Sequence, residues 1–187
     1  MAGYTLITGG AVGSDLYWQK KALERGMNVK IMSFEEHKVH KASIGGMEAK
    51  VKVLSEMKLR EADELIKLAN NRLKRKFPCQ SEFSNNLIRR NYHIVKDAQA
   101  VLATGMVKNN QILGGTAWGV VIADLMAIDV YVYDIIKLAW YKYEQERLKR
   151  CGIPTLPKRF AGIGSRKLTP SGECAIDRVL DSTNERQ

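Results

Sequence analysis

The stretch YTLITGGAVGSDLYWQKKALERGMNVKIMSF, residues 4–34, decides the fold. The short apolar run 4–8 is typical of a strand, and it ends at glycines. Residues 14–26 place apolar side chains on one helical stripe and end at Gly26, a frequent helix C-cap residue, and residues 28–34 return as a strand. The stretch therefore predicts a strand, glycine turn, helix and strand unit, in which the crossover is right-handed and the two strands are parallel.

The rest of the chain continues this alternation. Apolar, β-rich runs predict further strands at 100–105, 129–134 and 158–166. Helical periodicity predicts three further helices. The first is at 84–98, the second occupies the later part of 109–128 after a glycine-rich loop, and the third begins at Thr169 or Ser171. The pattern predicts an α/β fold built on a doubly wound, mainly parallel sheet.

Two segments do not fit the alternation. From Gly46 to about Lys76, charged residues with an intermittent apolar face predict a long helical stretch that ends before Pro78. We expect a helical insertion at about 46–80 that covers the sheet, acts as a lid or forms a dimer contact. Residues 135–150 are compatible with a helix or with an irregular aromatic segment.

Length and composition indicate one ordinary globular domain spanning 1–187. The chain has 187 residues, of which 45% are hydrophobic and 27% are charged, and no apolar run is long enough to cross a bilayer. No leader-like segment opens the chain, so we expect a cytoplasmic protein with no membrane partner. Cys79, Cys151 and Cys174 are odd in number and widely spaced, which predicts reduced thiols rather than a disulfide framework or zinc site.

The formal net charge of +10 predicts a field that attracts anions. Nucleotides, nucleic acid and an acidic partner are all compatible with it, and so is a basic face that only contacts solvent. No cofactor is indicated. The three histidines, His37, His40 and His93, do not cluster with cysteines or carboxylates, so no metal site is predicted. His37 and His40 lie just after a strand end, where they could reach the pocket, although a solvent-facing loop is the favoured alternative.

Three glycine turns follow strands that are predicted to be parallel. The carboxyl ends of parallel strands meet at one edge of a sheet, so the three turns are expected there. The glycines are Gly9, Gly10 and Gly13; Gly114 and Gly115; and Gly162 and Gly164. Helix amino termini at that edge offer free N–H donors and a favourable dipole to anions. Glycine also permits tight strand-to-helix turns without any ligand. None of the turns matches the Walker loop or the full dinucleotide fingerprint.

Residues in and beside these turns are the candidates for ligand binding. They are Gly9, Gly10, Gly13, Ser14, Asp15, Arg90, Asn91, Gly114, Gly115, Thr116, Trp118, Gly164, Ser165 and Arg166. The cations considered for phosphate contacts are Arg89, Arg90, Arg166 and Lys167, because guanidinium groups in particular meet phosphate oxygens in a fork. Asp15 is expected to hold a ribose hydroxyl or a base edge, or else to cap its own helix.

Aromatic side chains offer a second mode of recognition. Trp118, Trp140, Tyr141 and Tyr143 could stack on a base, although aromatic residues at such places are also typical of a core or an interface.

Several of these motifs together resemble the SLOG superfamily of Rossmann-like proteins. They are TGGAVGSD before a helix, RRNYHIV before KDAQAVLATG, and GGTAWGVVIADLM before DVYVYD. The superfamily includes the DNA-processing protein A family, the Lonely Guy phosphoribohydrolases, molybdenum-cofactor carriers and sensors of nucleotide-derived signals. The resemblance implies a Rossmann-like three-layer sandwich that binds a nucleotide or a nucleotide-derived small molecule, in a homodimer or larger assembly.

The order of the motifs differs from that of many members. Their GSR strand-turn comes first, whereas the similar FAGIGSRKLTPSGE of this chain, residues 160–173, comes last. A circular permutation would explain this order. It predicts that Gly10 and Gly164 lie on the same edge of one sheet.

The resemblance leaves the activity open. Lonely Guy enzymes carry a catalytic glutamate after their glycine turn, whereas here Gly119 stands at the matching position, so Asp15 and Glu173 are the remaining candidates for that role. Nucleotide binding alone is one hypothesis, and hydrolysis of the N-glycosidic bond of a nucleoside monophosphate is a second. Binding of single-stranded DNA, favoured by the charge and the aromatic residues, is a third. The sequence does not select one nucleotide.

Overall fold

The computed structural model describes residues 3–182. Along the chain the elements are β1 (Thr5–Thr8), α1 (Ser14–Glu24), β2 (Asn28–Phe34), β3 (Ser43–Ile44), β4 (Met47–Glu48), β5 (Lys50–Leu54), α2 (Glu56–Arg60), α3 (Asp63–Leu73), α4 (Glu82–Val95), β6 (Ala100–Gly105), β7 (Val107–Lys108), β8 (Gln111–Ile112), α5 (Thr116–Leu125), β9 (Asp129–Asp134), β10 (Ala139–Glu144), β11 (Arg147–Cys151), β12 (Arg159–Gly164) and α6 (Pro170–Asp181).

Eight of the strands form one sheet in the order β11-β10-β9-β6-β12-β1-β2-β5. From β9 to β5 every neighbouring pair is parallel, and β10 and β11 add an antiparallel hairpin at one edge. The small hairpins β3–β4 and β7–β8 lie outside this sheet. The mainly parallel α/β fold predicted from residues 4–34 is confirmed.

Helices cover both faces of the sheet and make three layers. On one face α1 and α6 pack through Trp18, Ile176 and their neighbours against Leu6, Leu102 and other inward side chains. On the other face α3, α4 and α5 pack against a second core cluster that contains Val101 and Val132. These strands are buried on both faces, which is why they are apolar throughout instead of alternating. The architecture is a Rossmann-like sandwich, as expected.

The predicted helical stretch at 46–80 is helical only in part. Lys50–Leu54 instead forms β5, which pairs with β2 at the edge of the sheet. Lysine and valine alternate there, and an edge strand tolerates charged residues that a central strand would not. The two helices that follow are α2, capped by Ser55, and α3, whose Ile66 and Leu73 are buried in the core. Helix α3 packs on α5 and α4 in the helical layer on this side of the sheet, and a role as a lid or a dimer contact stays a prediction.

Residues 135–150, left open between helix and irregular structure, form the β10–β11 hairpin. Its two-residue turn has positive φ at Gln145 and Glu146, the geometry that matches the twist of a hairpin. Trp140 and Tyr143 belong to strand β10 of this hairpin, and their side chains are buried in the core. They are packing residues and lie away from the glycine turns.

Strand β12 lies between β1 and β6. Its Phe160 stands opposite Leu6 of β1 on one side and opposite Ala100 of β6 on the other. Gly105 and Gly164 are the last residues of β6 and β12, and Gly10 comes just after β1. Because the three strands are parallel, all three glycines lie at the same edge of the sheet. The expected placement of Gly10 and Gly164 on one edge is confirmed. Within residues 3–182, none of the helices has both the length and the apolar character that a membrane span requires.

Candidate functional site

A cavity of about 520 Å³ opens at this carboxyl edge, and all three glycine turns contribute to its wall. A volume of this size lies within the range of small-molecule sites. The polar wall residues are Asp15, His37, Arg75, Ser84, Arg90, Asn91, Thr116, Ser165 and Arg166. The apolar and glycine wall residues are Ala11, Leu87, Ile88, Ile94, Leu113, Gly114, Gly115, Trp118, Ile163 and Gly164.

The first and third turns are locked together by Ser14. Its backbone N–H and its hydroxyl both donate to the carbonyl oxygen of Ser165, at 3.1 and 2.9 Å. The Thr104 hydroxyl, from the end of β6, donates to the Ser14 oxygen at 3.0 Å. Gly13 has φ of 84°, and a Cβ there would overlap the Arg166 carbonyl. Ser14 and Gly13 thus fix the position of Ser165 and Arg166, which line the cavity.

Arg90 reaches from α4 to the first turn and is 6% exposed. Its Nη1 donates to the carbonyl oxygen of Gly9 at 2.7 Å, while its buried Nε has no hydrogen-bond partner. A Cβ at Gly9 would lie 2.6 Å from Arg90 Nη2 and 2.7 Å from Asp15 Oδ2. Glycine is therefore required at position 9 so that a guanidinium and a carboxyl group can approach the same backbone.

Asp15, in the first turn of α1, is also 6% exposed. Its Oδ2 accepts the backbone N–H of Ala11 at 3.2 Å. Burial raises the pKa of Asp15 from 3.8 to about 6, against the opposing effects of the Arg90 charge and of backbone N–H groups. The carboxyl group therefore changes its protonation near neutral pH inside the cavity.

His37 lies in the wall of the cavity, so of the two positions considered for it the one within reach of the pocket is correct and the favoured solvent-facing position is wrong. Its ring is 3.1 Å from Arg90 Nη1 and stacks on Phe34. Gln19 holds the loop that follows His37, because its side chain donates to the His40 carbonyl and accepts the Ala42 N–H. Burial and the Arg90 charge lower the pKa of His37 to about 4, so that its ring is neutral at pH 7.

The second turn presents the amino terminus of α5. Gly114 has φ of 75°, and this helix start has no side-chain cap. Arg75 donates from Nη1 to the Gly114 carbonyl at 2.8 Å, and its guanidinium lies 6.0 Å from the centre of the Trp118 ring. The turn thus combines uncapped backbone N–H groups with a nearby cation, an arrangement that attracts anions.

The predicted ligand-binding residues divide into two groups. The wall of the cavity contains Asp15, Arg90, Asn91, Gly114, Gly115, Thr116, Trp118, Gly164, Ser165 and Arg166. Gly9, Gly10, Gly13 and Ser14 stand outside the wall and shape the first turn. Gly10 packs against Ile31 and Val39, where a Cβ would lie 2.7 Å from Ile31. The predicted turns meet at one cavity, and that these residues bind a ligand there stays a prediction.

Other candidates are elsewhere in the fold. Glu173 is in the first turn of α6, where its charge contributes to raising the pKa of Tyr17, and it does not line the cavity. Arg89 points away from the cavity, pairs with Asp63 at 2.7 Å and with Glu82, and lies over Phe77. Lys167 is exposed beside Arg166 but is not part of the wall.

Arg75 and Ser84 are wall residues that the sequence did not reveal. Arg75 follows α3 and Ser84 belongs to the first turn of α4, and neither sits in a glycine-rich motif. Only the packing of α3 and α4 on the same face as α5 brings them to the cavity. A cation just beyond the carboxyl end of a helix carries no signal that could have identified Arg75.

In the part of the chain that the structure describes, no group of three or more His, Cys, Asp or Glu side chains is arranged to hold a metal ion. Comparisons with protein-family models, with curated proteins and with solved structures each gave no match. The function is therefore argued from the geometry of the cavity.

Proposed function

We propose that this protein binds a nucleotide or a nucleotide-derived small molecule in the cavity at the carboxyl edge of the sheet. The observation that carries the proposal is the meeting of three glycine turns at one cavity that also holds a buried, incompletely partnered arginine. The resemblance of the same turns to the SLOG superfamily, with its strand order permuted, supports this proposal.

The phosphate end of the ligand is assigned to the second and third turns. Gly114, Gly115 and Thr116 offer the uncapped amino terminus of α5, and Arg166 adds an exposed cation from the third turn. Backbone N–H groups and a guanidinium are the donors that phosphate oxygens accept best. The carboxyl group of Asp15 disfavours an anion at the first turn, so the ligand has a defined direction.

The neutral, polar end of the ligand is assigned to the first turn. There Asp15 accepts a hydrogen bond from a ribose hydroxyl or an amino group, and Arg90 offers donors on the same side of Gly9. Trp118 lines the cavity on the α5 side, beside Arg75. The cavity thus offers donors for a phosphate and a carboxyl acceptor for a sugar hydroxyl or a base amino group, which supports the proposal.

A thermal-shift screen of nucleoside monophosphates, cyclic nucleotides and NAD-related compounds tests the proposal, because a ligand that binds only the folded protein raises its melting temperature. Arg166→Gln should weaken the shift, whereas Lys167→Gln should leave it unchanged. The two substitutions remove the same charge from adjacent exposed positions, and only Arg166 lines the cavity. Equal effects of the two variants, or no shift at millimolar ligand, would contradict specific binding in the cavity.

Hydrolysis of an N-glycosidic bond is a second candidate, favoured by Asp15. A buried carboxyl group with a pKa of about 6 can donate a proton to a leaving base or accept one from water. The position that corresponds to the Lonely Guy glutamate is closed here, because a Cβ on Gly119 would lie 2.8 Å from Ile163 Cδ1. Asp15 is therefore the carboxyl group proposed for this role.

Chromatography of AMP incubated with the protein tests this activity. Release of adenine that Asp15→Asn abolishes would support it, and an unchanged AMP peak at high protein concentration would exclude it for AMP. Binding of single-stranded DNA stays a prediction. Two of the four aromatic residues considered for base stacking, Trp140 and Tyr143, are buried in the core and do not support it.

A further inference from the structure

Two buried groups of opposite charge meet beside Gly9 without binding each other. A Cβ added at Gly9 would lie 2.6 Å from Arg90 Nη2 and 2.7 Å from Asp15 Oδ2. Both residues line the cavity, and each is 6% exposed. Among residues 3–182, however, the guanidinium and the carboxyl group form neither a hydrogen bond nor an ion pair with each other. We call the space between these two atoms the Gly9 gap, because the missing side chain of Gly9 leaves it open.

Hydrogen bonds to the backbone fix each group on its own side of the Gly9 gap. Arg90 Nη1 donates to the Gly9 carbonyl oxygen at 2.7 Å. Asp15 Oδ2 accepts the Ala11 N–H at 3.2 Å, and the Gly164 N–H also favours the ionised carboxylate. The Arg90 Nε is buried without a partner, and in the part of the chain that the structure describes Nη2 has no acceptor. The gap therefore lies between an unused donor and a carboxylate with unused lone pairs.

The two sides of the gap make opposite demands on a ligand atom. A guanidinium group carries only donors, and an ionised carboxylate carries only acceptors. A phosphate or carbonyl oxygen accepts but does not donate, and the carboxylate repels it. The amino group of a base donates but does not accept, because its lone pair is delocalised into the ring. A hydroxyl group does both, and its two bonds here are strengthened by the charges of Arg90 and Asp15.

We propose that the Gly9 gap binds one hydroxyl of the 2′,3′ pair of the ligand's ribose. Arg90 Nη2 donates to the oxygen of this hydroxyl, and the hydroxyl donates to the Asp15 carboxylate. The inference rests on the proposed nucleotide binding and narrows it, since it assigns Asp15 to the sugar instead of to a base amino group.

The charges around Asp15 set the pH range in which the gap selects a hydroxyl. Burial raises the pKa of Asp15 to about 6, against the charges of Arg90 and Arg166 and the backbone N–H groups. Below that pH the carboxyl group carries its own hydrogen and no longer requires a donor from the ligand. His37, which faces Arg90, stays neutral because burial and the Arg90 charge lower its pKa to about 4. Selection of a hydroxyl is therefore strongest above about pH 6.

Matched nucleotides test the assignment without any change to the protein. AMP, GMP, CMP and UMP are compared with their 2′-deoxy and 3′-deoxy counterparts by titration calorimetry at about pH 7.5. For a ribonucleotide that binds, we expect removal of one of its two hydroxyls to weaken binding by roughly 10- to 100-fold, because two buried charged groups lose a shared partner. Purine riboside monophosphate, which lacks the amino group of AMP, should bind within a few-fold of AMP.

Asp15→Asn gives a second measurement. The amide keeps the shape of the side chain but loses its charge, so the ratio of ribonucleotide to deoxynucleotide affinity should fall to a few-fold. Both affinities come from the same sample, so a partial loss of folded protein does not affect their ratio. Glu173→Gln is the matched control, because Glu173 also stands in the first turn of a helix at this edge of the sheet and does not line the cavity.

The outcomes separate this inference from the proposed function. If a ribonucleotide and both of its deoxy forms bound equally, the hydroxyl assignment would be overturned and nucleotide binding would stand. A large loss with purine riboside monophosphate, but none with the deoxy forms, would place a base amino group in the gap instead. Equal ratios in Asp15→Asn and Glu173→Gln would remove Asp15 from the contact. If none of these nucleotides bound, mononucleotide binding and the hydroxyl assignment would fail together.

Discussion

Ser14 donates its hydroxyl hydrogen to the Ser165 carbonyl oxygen, 151 positions away in the sequence. This bond joins the first glycine turn to the third at the edge of the sheet. The Thr104 hydroxyl completes the connection by donating to the Ser14 oxygen. The candidate site thus depends on contacts between the beginning and the end of the described chain.

Gly164→Ala should destabilise the fold at this junction. An added Cβ would lie 2.6 Å from both Ser14 Oγ and the Thr104 carbonyl oxygen, and neither can retreat without breaking the connection. We expect a loss of about 1–3 kcal/mol in the free energy of unfolding, measured by urea denaturation. Gly152→Ala is the matched control, since a Cβ there meets nothing within 4 Å. A Gly164→Ala protein as stable as the control would contradict the close packing.

Asp15→Asn should change how stability depends on pH. The pKa of Asp15 is higher in the folded protein, at about 6, than its ordinary value of 3.8, so the folded state binds the proton more tightly. The stability of the unmodified protein relative to Asp15→Asn should therefore fall as pH rises from about 4 to 6, by on the order of 3 kcal/mol, and stay level above that. Urea denaturation at a series of pH values measures this difference. If the difference in unfolding free energy between the two proteins did not change with pH, burial would not raise the pKa of Asp15.

Trp118→Phe should remove most of the change in tryptophan fluorescence that accompanies ligand binding. Of the three tryptophans, Trp118 lines the cavity, Trp18 is buried between α1 and the sheet, and Trp140 is buried in the β10–β11 hairpin. Trp140→Phe should therefore retain the change. The phenyl ring preserves stacking, so affinity should alter by only a few-fold. A signal that disappears with Trp140→Phe instead would place the ligand near the β10–β11 hairpin and contradict binding in the cavity.

Binding of a phosphate-bearing ligand should raise the pKa of His37. Burial is the main cause that holds this pKa near 4 in the free protein, the Arg90 and Arg166 charges add to it, and an anion at the second and third turns would offset the Arg166 charge. Proton NMR of the imidazole signals during a pH titration measures the shift. His93 serves as the control, because its pKa is also lowered by burial but it lies outside the cavity. Equal shifts of the two histidines, or none, would argue against an anion beside Arg166.

The turns could be predicted from the sequence because each is local. Gly114 and Gly164 stand directly between an apolar strand or loop and a helix, and parallel strands bring such turns to one edge. His37 could not be placed in this way. Its position depends on Gln19, which binds the backbone on both sides of Lys41, and on the Gly10 carbonyl, which accepts the N–H of His40. These are tertiary contacts that no local pattern encodes.

Strand β5 was missed for a related reason. Val51 and Val53 are exposed, so the segment lacks the buried apolar face that marks most strands, and its pairing with β2 supplies the order instead. The β10–β11 hairpin likewise places Trp140 and Tyr143 in the core through its register with β9. Edge strands take their structure from a neighbour, and the sequence of the edge strand alone does not reveal that neighbour.

The place of β12 in the sheet has a consequence for how the protein is made. Synthesis from the amino terminus produces β1, β2 and β5 as one group of strands and β6, β9, β10 and β11 as another, and the strand that joins them is translated after both. Until β12 enters, the two groups expose the edges that it will pair with. The cavity draws its wall from both groups and from β12 itself. Ligand binding by nascent chains of increasing length would therefore report the moment at which the sheet closes.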